Sequence, residues 1–238
     1  MVALISAYFD ESGGTTSDSA LTCSAAYLFR EDGLAQFFKE WEPYLKGKQL
    51  KYKQSYCFHA TDHCRQDNSP EIFNTLRDLI SRTSEQGFVR FALNKDLEKF
   101  NSQGGIARIS GDKYSLLTLA TMEAVADYAK AQDCKVVYYI ENGPNADLRE
   151  MIKQIEMDDS LRERYALSNI SFPKKADAMQ LQSADLLAWS FHRLDRSLGK
   201  VNPLIDPAPG MDSFKTWYEW YKGHDLRGSP SKGLGLGV

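Results

Sequence analysis

Two spacings of apolar residues along the chain predict an α/β protein. Five apolar runs are typical of strands, and they cover residues 3–9, 20–29, 88–94, 135–142 and 166–172. Six further segments place apolar residues at helical spacing, over 32–45, 69–87, 112–132, 145–159, 177–198 and 211–222. Because helices connect the later strands, we expect those strands to pair in parallel within a mixed sheet that has helices on its faces.

The amino-acid composition supports a folded core and limits the class of binding partner. Hydrophobic residues form 42% of the 238-residue chain, which is enough for a sizeable core. The net charge of −3 is unlike that of a dedicated nucleic-acid-binding domain, although it is compatible with an enzyme that grips nucleic acid locally. The lysine-rich run 46–54 is either a solvated linker or an arm that contacts phosphates, with Tyr52 and Tyr56 available for stacking.

Targeting features and cysteine usage predict the compartment. The N-terminus has no basic region followed by a long apolar run, and no window is long enough to span a membrane. With four widely spaced cysteines, this predicts a cytoplasmic protein with reduced thiols and no membrane partner. A homo-oligomer stays open, because an aromatic cluster near the C-terminus is suited either to cover the core or to form a dimer contact. Its members are Trp217, Tyr218, Trp220 and Tyr221.

Acidic residues stand where two of the predicted strands end. Asp10 and Glu11 follow the first apolar run, and Glu141 stands at the end of the fourth. A third position, Asp185, interrupts an apolar helix, where an isolated buried carboxylate would be costly. Since ligand sites lie at the carboxyl ends of strands in open α/β sheets, we expect Asp10, Glu141 and Asp185 to converge at one edge.

Such a set of carboxylates is typical of a site for a hard cation. Mg2+ and Mn2+ prefer carboxylate oxygens, and ions of this kind activate water and neutralise the charge that develops on a phosphoryl group. The sequence therefore predicts Asp10, Glu11, Glu141 and Asp185 as metal ligands, with Asp10, Glu141 and Asp185 catalytic. Each acid also has an ordinary interpretation, as a turn residue before glycine or as half of an ion pair.

Four further residues are candidates for contacts to a phosphate-bearing substrate. Lys174 and Lys175 lie just past the last predicted strand, where they either contact phosphate or are ordinary surface lysines. His59 is suited to shuttle a proton or to contact a phosphate, and the alternative is a structural histidine. Gln182 lies three residues before Asp185 on the same helix face, so it either binds a ligand or orients that carboxylate.

Three separated motifs resemble the domain-of-unknown-function family 3800, namely "FDESG" after the first strand, "ENG" after the fourth and "LQSADLLAW" on the late helix. The segment "FHATD", 58–62, is also similar to one common in that family, and the likeness covers nearly all of residues 4–192. The resemblance implies a ribonuclease-H-like fold, in which three antiparallel strands precede alternating helices and strands. It also implies one catalytic acid on the first strand, one on the fourth and one on the last core helix, where Asp10, Glu141 and Asp185 stand.

The resemblance, added to the residue patterns, leads to one expected organisation and three expected functions. We expect a ribonuclease-H-like domain over 1–226, with a five-stranded or larger sheet, a helical insertion at about 30–87 and a C-terminal helix at 211–222, before a flexible tail at 227–238. The preferred function is a divalent-metal-dependent phosphodiesterase that acts on nucleic acid. The alternatives are a catalytically silent ribonuclease-H-like binding or adaptor module, and a hydrolase of nucleotides or other small phosphate esters.

Overall fold

The computed structural model describes residues 3–12, 21–63, 69–93, 113–143 and 146–196. Their strands are β1 (Ala3–Ser12), β2 (Leu21–Phe29), β3 (Lys51–Tyr52), β4 (Ser55–Tyr56), β5 (Gln86–Leu93), β6 (Cys134–Ile140) and β7 (Leu167–Ser171). Their helices are α1 (Glu31–Gly47), α2 (Ala60–His63), α3 (Ser69–Thr83), α4 (Lys113–Ala131), α5 (Ala146–Met157), α6 (Asp159–Arg164) and α7 (Leu181–Arg196). Among these helices, none combines the length and the apolar character needed to cross a lipid bilayer.

Five strands form one mixed sheet in the order β5-β2-β1-β6-β7. β2 pairs antiparallel with both β1 and β5, whereas β6 pairs in parallel with both β1 and β7. Helices join the parallel strands, as such connections require. The predicted α/β class and the predicted mixed five-stranded sheet are therefore confirmed. The strand order and directions are consistent with a ribonuclease-H-like arrangement. Strands β3 and β4 form a separate two-residue-per-strand hairpin.

Alternation along the strands divides the core into two layers, one on each face of the sheet. On the first face, α1, α3 and α7 pack on the sheet, with Phe37, Trp41, Leu76 and Leu187 fully or nearly fully buried. On the second face, α4 and α5 bury apolar side chains against Ile5, Ala7 and Phe9 of β1 and against the inward residues of β6. Both faces of the central strands are therefore covered, which is why β1 and β6 read as continuous apolar runs.

The structure corrects several expected boundaries and leaves others outside the described residues. The helix expected over 69–87 ends at Thr83, and Gly87 lies in β5, where a side chain would meet the ring of Tyr27. The helix expected from residue 177 begins at Leu181. The segment 30–87 contains the hairpin as well as helices. The expected helix 211–222, its aromatic residues and the tail 227–238 lie outside the described residues.

Candidate functional site

The register of two parallel strands sets Asp10 beside Glu141. Tyr8 of β1 pairs with Tyr139 of β6, and the Glu141 N–H donates to the carbonyl oxygen of Phe9 at 3.1 Å. Side chains alternate between the two faces of a strand, so Asp10 and Glu141 follow Tyr8 and Tyr139 onto the face that carries α7. The rings of Tyr8 and Tyr139 stack there with centroids 4.6 Å apart. The two carboxylates therefore continue this row at the carboxyl end of the sheet.

A helix and a loop bring two more charged side chains to this edge. α7 packs across β1 and β2 and carries Asp185 in its second turn. Lys175 lies in the loop after β7, and this loop is tied to the end of β6 because the Asn142 N–H donates to the carbonyl oxygen of Pro173 at 2.9 Å. Four segments, β1, the end of β6, the loop after β7 and α7, thus each contribute one charged side chain to the same edge.

The Lys175 ammonium lies among the three carboxylates, and we call these four side chains the carboxylate–lysine cluster. Lys175 Nζ is 2.8 Å from Asp10 Oδ2 and 3.2 Å from Glu141 Oε2. It is 3.3 Å from Asp185 Oδ1. The side chains of Lys175, Asp10 and Asp185 are 8%, 3% and 11% exposed, whereas Glu141 is 31% exposed. With every group ionised, one cation faces three anions in a largely buried place, which favours the uptake of a proton or a second cation.

Two further carboxylate oxygens of the cluster accept backbone N–H groups. Asp10 Oδ1 accepts the N–H of Glu11 at 2.7 Å, and Asp185 Oδ2 accepts the N–H of Ala60 at 2.8 Å. Asp10 Oδ2 is different, because it is buried and makes no hydrogen bond of ordinary geometry to any described residue, although Lys175 Nζ is near it. This oxygen keeps the capacity to accept a further positive partner.

Burial and mutual repulsion raise the pKa values of two of the acids. Burial, with the negative charge of Asp10, raises the pKa of Glu141 to about 9, while Lys175 opposes the change. The same two causes raise the pKa of Asp185 to about 7, against the opposing effects of Lys175 and the Ala60 N–H. Burial alone would lower the pKa of Lys175, but the three carboxylates outweigh it and raise that pKa above its ordinary value. Lys175 therefore stays charged, and Glu141 and Asp185 hold protons at pH values at which ordinary carboxyl groups are ionised.

Helix α7 also fixes the position of the segment beside the cluster. Gln182 Oε1 accepts the N–H of Phe58 at 2.8 Å and the Nε1–H of Trp41 at 2.9 Å. One turn further along, Asp185 accepts the N–H of Ala60. Gln182 is only 1% exposed, so the structure places it in the core as a positioning residue, not as a direct contact for a substrate. Gln182 and Asp185, on one face of α7, therefore hold the backbone on both sides of His59, and we call these contacts the clamp.

The clamp predicts a measurable loss of stability in Gln182→Leu. The substitution leaves the buried donors of Phe58 and Trp41 without an acceptor, and each such donor costs about 1–3 kcal/mol. We expect the free energy of unfolding in guanidinium chloride to fall by about 2–3 kcal/mol. Trp41→Phe/Gln182→Leu should lose less than the sum of the single variants, because one stranded donor has been removed. The control is Gln154→Leu, at an exposed position of α5. If it lowered the free energy of unfolding as much as Gln182→Leu does, the role of Gln182 as a buried acceptor would be contradicted.

His59 lies at the rim of the cluster. Its Nδ1 is 2.9 Å from Asp62 Oδ2, and its ring stacks on Tyr52 with centroids 4.4 Å apart and planes 11° from parallel. Burial and the charge of Lys175 lower the pKa of the His59 imidazole, and Asp62 opposes this shift. His59 is thus a half-buried, mostly neutral imidazole beside the carboxylates, in a position compatible with the substrate contact expected from the sequence.

The structure does not bring every expected residue into the cluster. Glu11 follows Asp10 on the strand, so its side chain leaves on the opposite face of the sheet. Lys174 is exposed, next to Lys175 in the loop. Within the described ranges, no group of three or more His, Cys, Asp or Glu side chains is arranged to hold a metal ion as the side chains stand. The ammonium of Lys175 lies among the carboxylates that were expected to surround an ion, and its pairing with all three was not foreseen.

Two comparisons with known proteins found no match for this chain. No protein-family model matches the chain. No curated protein is significantly similar to it. The resemblance to the domain-of-unknown-function family 3800 therefore stays a prediction made from motifs, and what can be said of function comes from the geometry of the cluster.

Proposed function

We propose that the chain is a divalent-metal-dependent phosphodiesterase acting on nucleic acid, with its active site at the carboxylate–lysine cluster. One observation carries the proposal: three carboxylates from three separate segments meet at the carboxyl ends of parallel β1 and β6, with one lysine to balance them. Sites at this end of a parallel pair are the usual ligand positions in open α/β sheets.

The donor set fits a hard cation by its chemistry. Asp10, Glu141 and Asp185 offer only carboxylate oxygens, which Mg2+ and Mn2+ prefer, and among the described residues the cation that faces all three is the Lys175 ammonium. A bound ion of this type lowers the pKa of a coordinated water and screens the charge on a phosphoryl group. These three acids would hold the ion, and Glu11 would not take part.

Lys175 has a second role in this proposal. A cation held by the carboxylates would compete with the ammonium for the same oxygens, so Lys175 would turn away from them. Its flexible four-carbon stem allows this movement, and its charge would then be available to a phosphate oxygen of the substrate. Lys174, which is exposed beside it, would add a second phosphate contact. His59, clamped at the rim, would contact a phosphate or exchange a proton with it.

A second candidate function is a binding or adaptor module without cleavage. The observation that favours it is the Lys175 ammonium itself, because an internal lysine can serve as the permanent counter-ion of three carboxylates. In that case the cluster would be a structural ion-pair network at the end of the sheet. The two candidates differ in one measurable property, which is whether a divalent cation displaces the lysine.

Metal binding and strand cleavage test the proposal together. Wild type should be stabilised saturably by Mn2+ in a thermal melt, and it should cleave labelled DNA or RNA only when Mg2+ or Mn2+ is present. Asp10→Asn keeps an oxygen for the Glu11 N–H but removes a metal ligand, so it should lose the Mn2+ stabilisation and about 100-fold or more of the cleavage rate.

The matched control is Glu150→Gln, which neutralises an exposed carboxylate of α5 that pairs with Lys153. This variant should bind Mn2+ and cleave as wild type does. Wild type that gains no stability from either cation, or Asp10→Asn that cleaves at the rate of wild type, would overturn the phosphodiesterase proposal. Binding of nucleic acid without any cleavage would instead support the adaptor function.

A further inference from the structure

The β3–β4 hairpin carries a tight turn with an unusual composition. Lys53 and Gln54 occupy the two turn positions, with φ values of 47° and 72°. A two-residue hairpin turn with both φ values positive normally uses Asn-Gly, because other side chains make this backbone conformation costly. The turn contains a lysine and a glutamine in spite of that cost, and strained backbone positions of this kind are frequent at functional sites.

The hairpin is joined to the carboxylate–lysine cluster through a stack of two rings. Tyr52 lies parallel to His59 at a centroid distance of 4.4 Å. The backbone on either side of His59 is held by α7, through Phe58 N–H to Gln182 and Ala60 N–H to Asp185, which is itself a member of the cluster. The stacked rings of Tyr52 and His59 therefore connect the hairpin to the carboxylate–lysine cluster.

Two lysines of the hairpin have no carboxylate partner within the described residues. In the run 46–54, Lys46 pairs with Glu42 and Lys48 pairs with Glu71. By contrast, the ion pairs of the described residues include neither Lys51 nor Lys53. Their ammonium groups instead lie 4.9 Å from the ring centroid of Tyr56 and 5.0 Å from that of Tyr52. Lys51 and Lys53 are exposed beside these rings, so their ammonium groups are accessible to phosphate oxygens.

We propose that the β3–β4 hairpin binds single-stranded nucleic acid, with a base stacked on the face of Tyr52 that His59 does not cover. The Lys53 ammonium, which lies over the Tyr52 ring in the free protein, would move to a flanking phosphate, and Lys51 would hold a second phosphate. The role of the hairpin in delivering a substrate rests on the proposed phosphodiesterase function, whereas the binding itself does not. A base can stack on a protein ring only when it is released from its neighbours, so the platform selects single strands over duplexes. The local pair of free lysines also explains how a chain of net charge −3 can hold a polyanion.

Binding measured without metal separates this proposal from cleavage. The full chain is titrated against labelled oligothymidylate, oligouridylate and a duplex of equal length, in excess EDTA, with fluorescence anisotropy as the readout. Wild type should bind the single strands more tightly than the duplex. Tyr52→Ala should weaken binding about tenfold or more, while Tyr52→Phe, which keeps the ring, should stay within about twofold of wild type. Lys51→Ala/Lys53→Ala should reduce the slope of log K against log salt by about 1.4, at about 0.7 per phosphate contact.

The control removes two lysines from the opposite face of the sheet. Lys130→Ala/Lys153→Ala makes the same change in net charge on α4 and α5, and it should leave the affinity and the salt slope unchanged. Absence of single-strand binding, equal affinity for the duplex, or an equal loss in the control would each overturn the platform. Cleavage that the hairpin variants do not alter would overturn the role of the hairpin in delivering substrate and leave the phosphodiesterase proposal standing. Binding that follows the pattern above without any cleavage would support the platform and overturn the phosphodiesterase.

Discussion

Lys175→Met should destabilise the metal-free protein by about 3–5 kcal/mol at pH 8, because it leaves the buried carboxylates of Asp10 and Asp185 without their ammonium partner. The methionine side chain fills similar space, so the loss reports charge more than packing. Urea denaturation in EDTA measures the free energy of unfolding directly. The loss should shrink toward pH 5, since protonation then neutralises the carboxylates instead. A loss below about 1 kcal/mol at pH 8 would show that the acids do not depend on this lysine.

Two further variants identify the cause of that loss. Lys175→Met/Asp185→Asn removes one anion along with the cation, while the asparagine oxygen can still accept the Ala60 N–H, so part of the stability should return. Lys153→Met, at an exposed position paired with Glu150, should change stability by no more than about 0.5 kcal/mol. Mn2+ should stabilise Lys175→Met more than wild type, because the ion no longer competes with the ammonium.

The meeting of Asp10 with Glu141 is the part of the site that the sequence predicted best. Both acids follow apolar runs that a reader can assign to buried strands, and a parallel pair of strands brings their carboxyl ends together. The face each acid takes follows from period-two alternation, since Tyr8 and Tyr139 precede them by two residues and share one face. Asp185 was predicted for a different reason, because it is a charge within an apolar helix.

The role of Lys175 could not be predicted, because local sequence does not distinguish it from Lys174. The two residues are adjacent in "FPKKAD", yet Lys174 is exposed and Lys175 is 7% exposed. Their difference is set by how the loop is anchored to the end of β6 through Asn142 and Pro173, a contact between distant segments. The sequence predicts that both lysines lie near the end of the last strand. Only the tertiary structure shows that Lys175 contacts the carboxylates while Lys174 is exposed.

The β3–β4 hairpin and the contacts of the clamp could not be predicted from the sequence either, for two different reasons. A turn made by Lys53 and Gln54 lacks the Asn-Gly signal by which short hairpins are recognised. The helical spacing of Gln182 and Asp185 predicted that they share a face, but not that this face binds the backbone of 58–60. That contact needs a neighbour more than a hundred residues away, and periodicity within one helix does not identify it.

The stability of the metal-free protein should fall as pH rises from about 5 to 9, against the usual trend for proteins with paired carboxylates. The folded state raises the pKa of Asp185 to about 7 from 3.8 and that of Glu141 to about 9 from 4.5. Their contribution is therefore fully present below about pH 4 and is lost as pH rises through the folded values, at about 1.4 kcal/mol per pH unit for each extra proton held. Lys175 does not oppose this trend, because its raised pKa matters only above pH 10.5. Denaturant titrations in EDTA across this range should show the fall in wild type and a shallower one in Asp185→Asn. A stability that is flat or rises over this interval would mean that the acids are already ionised in the folded chain and hold no shared protons.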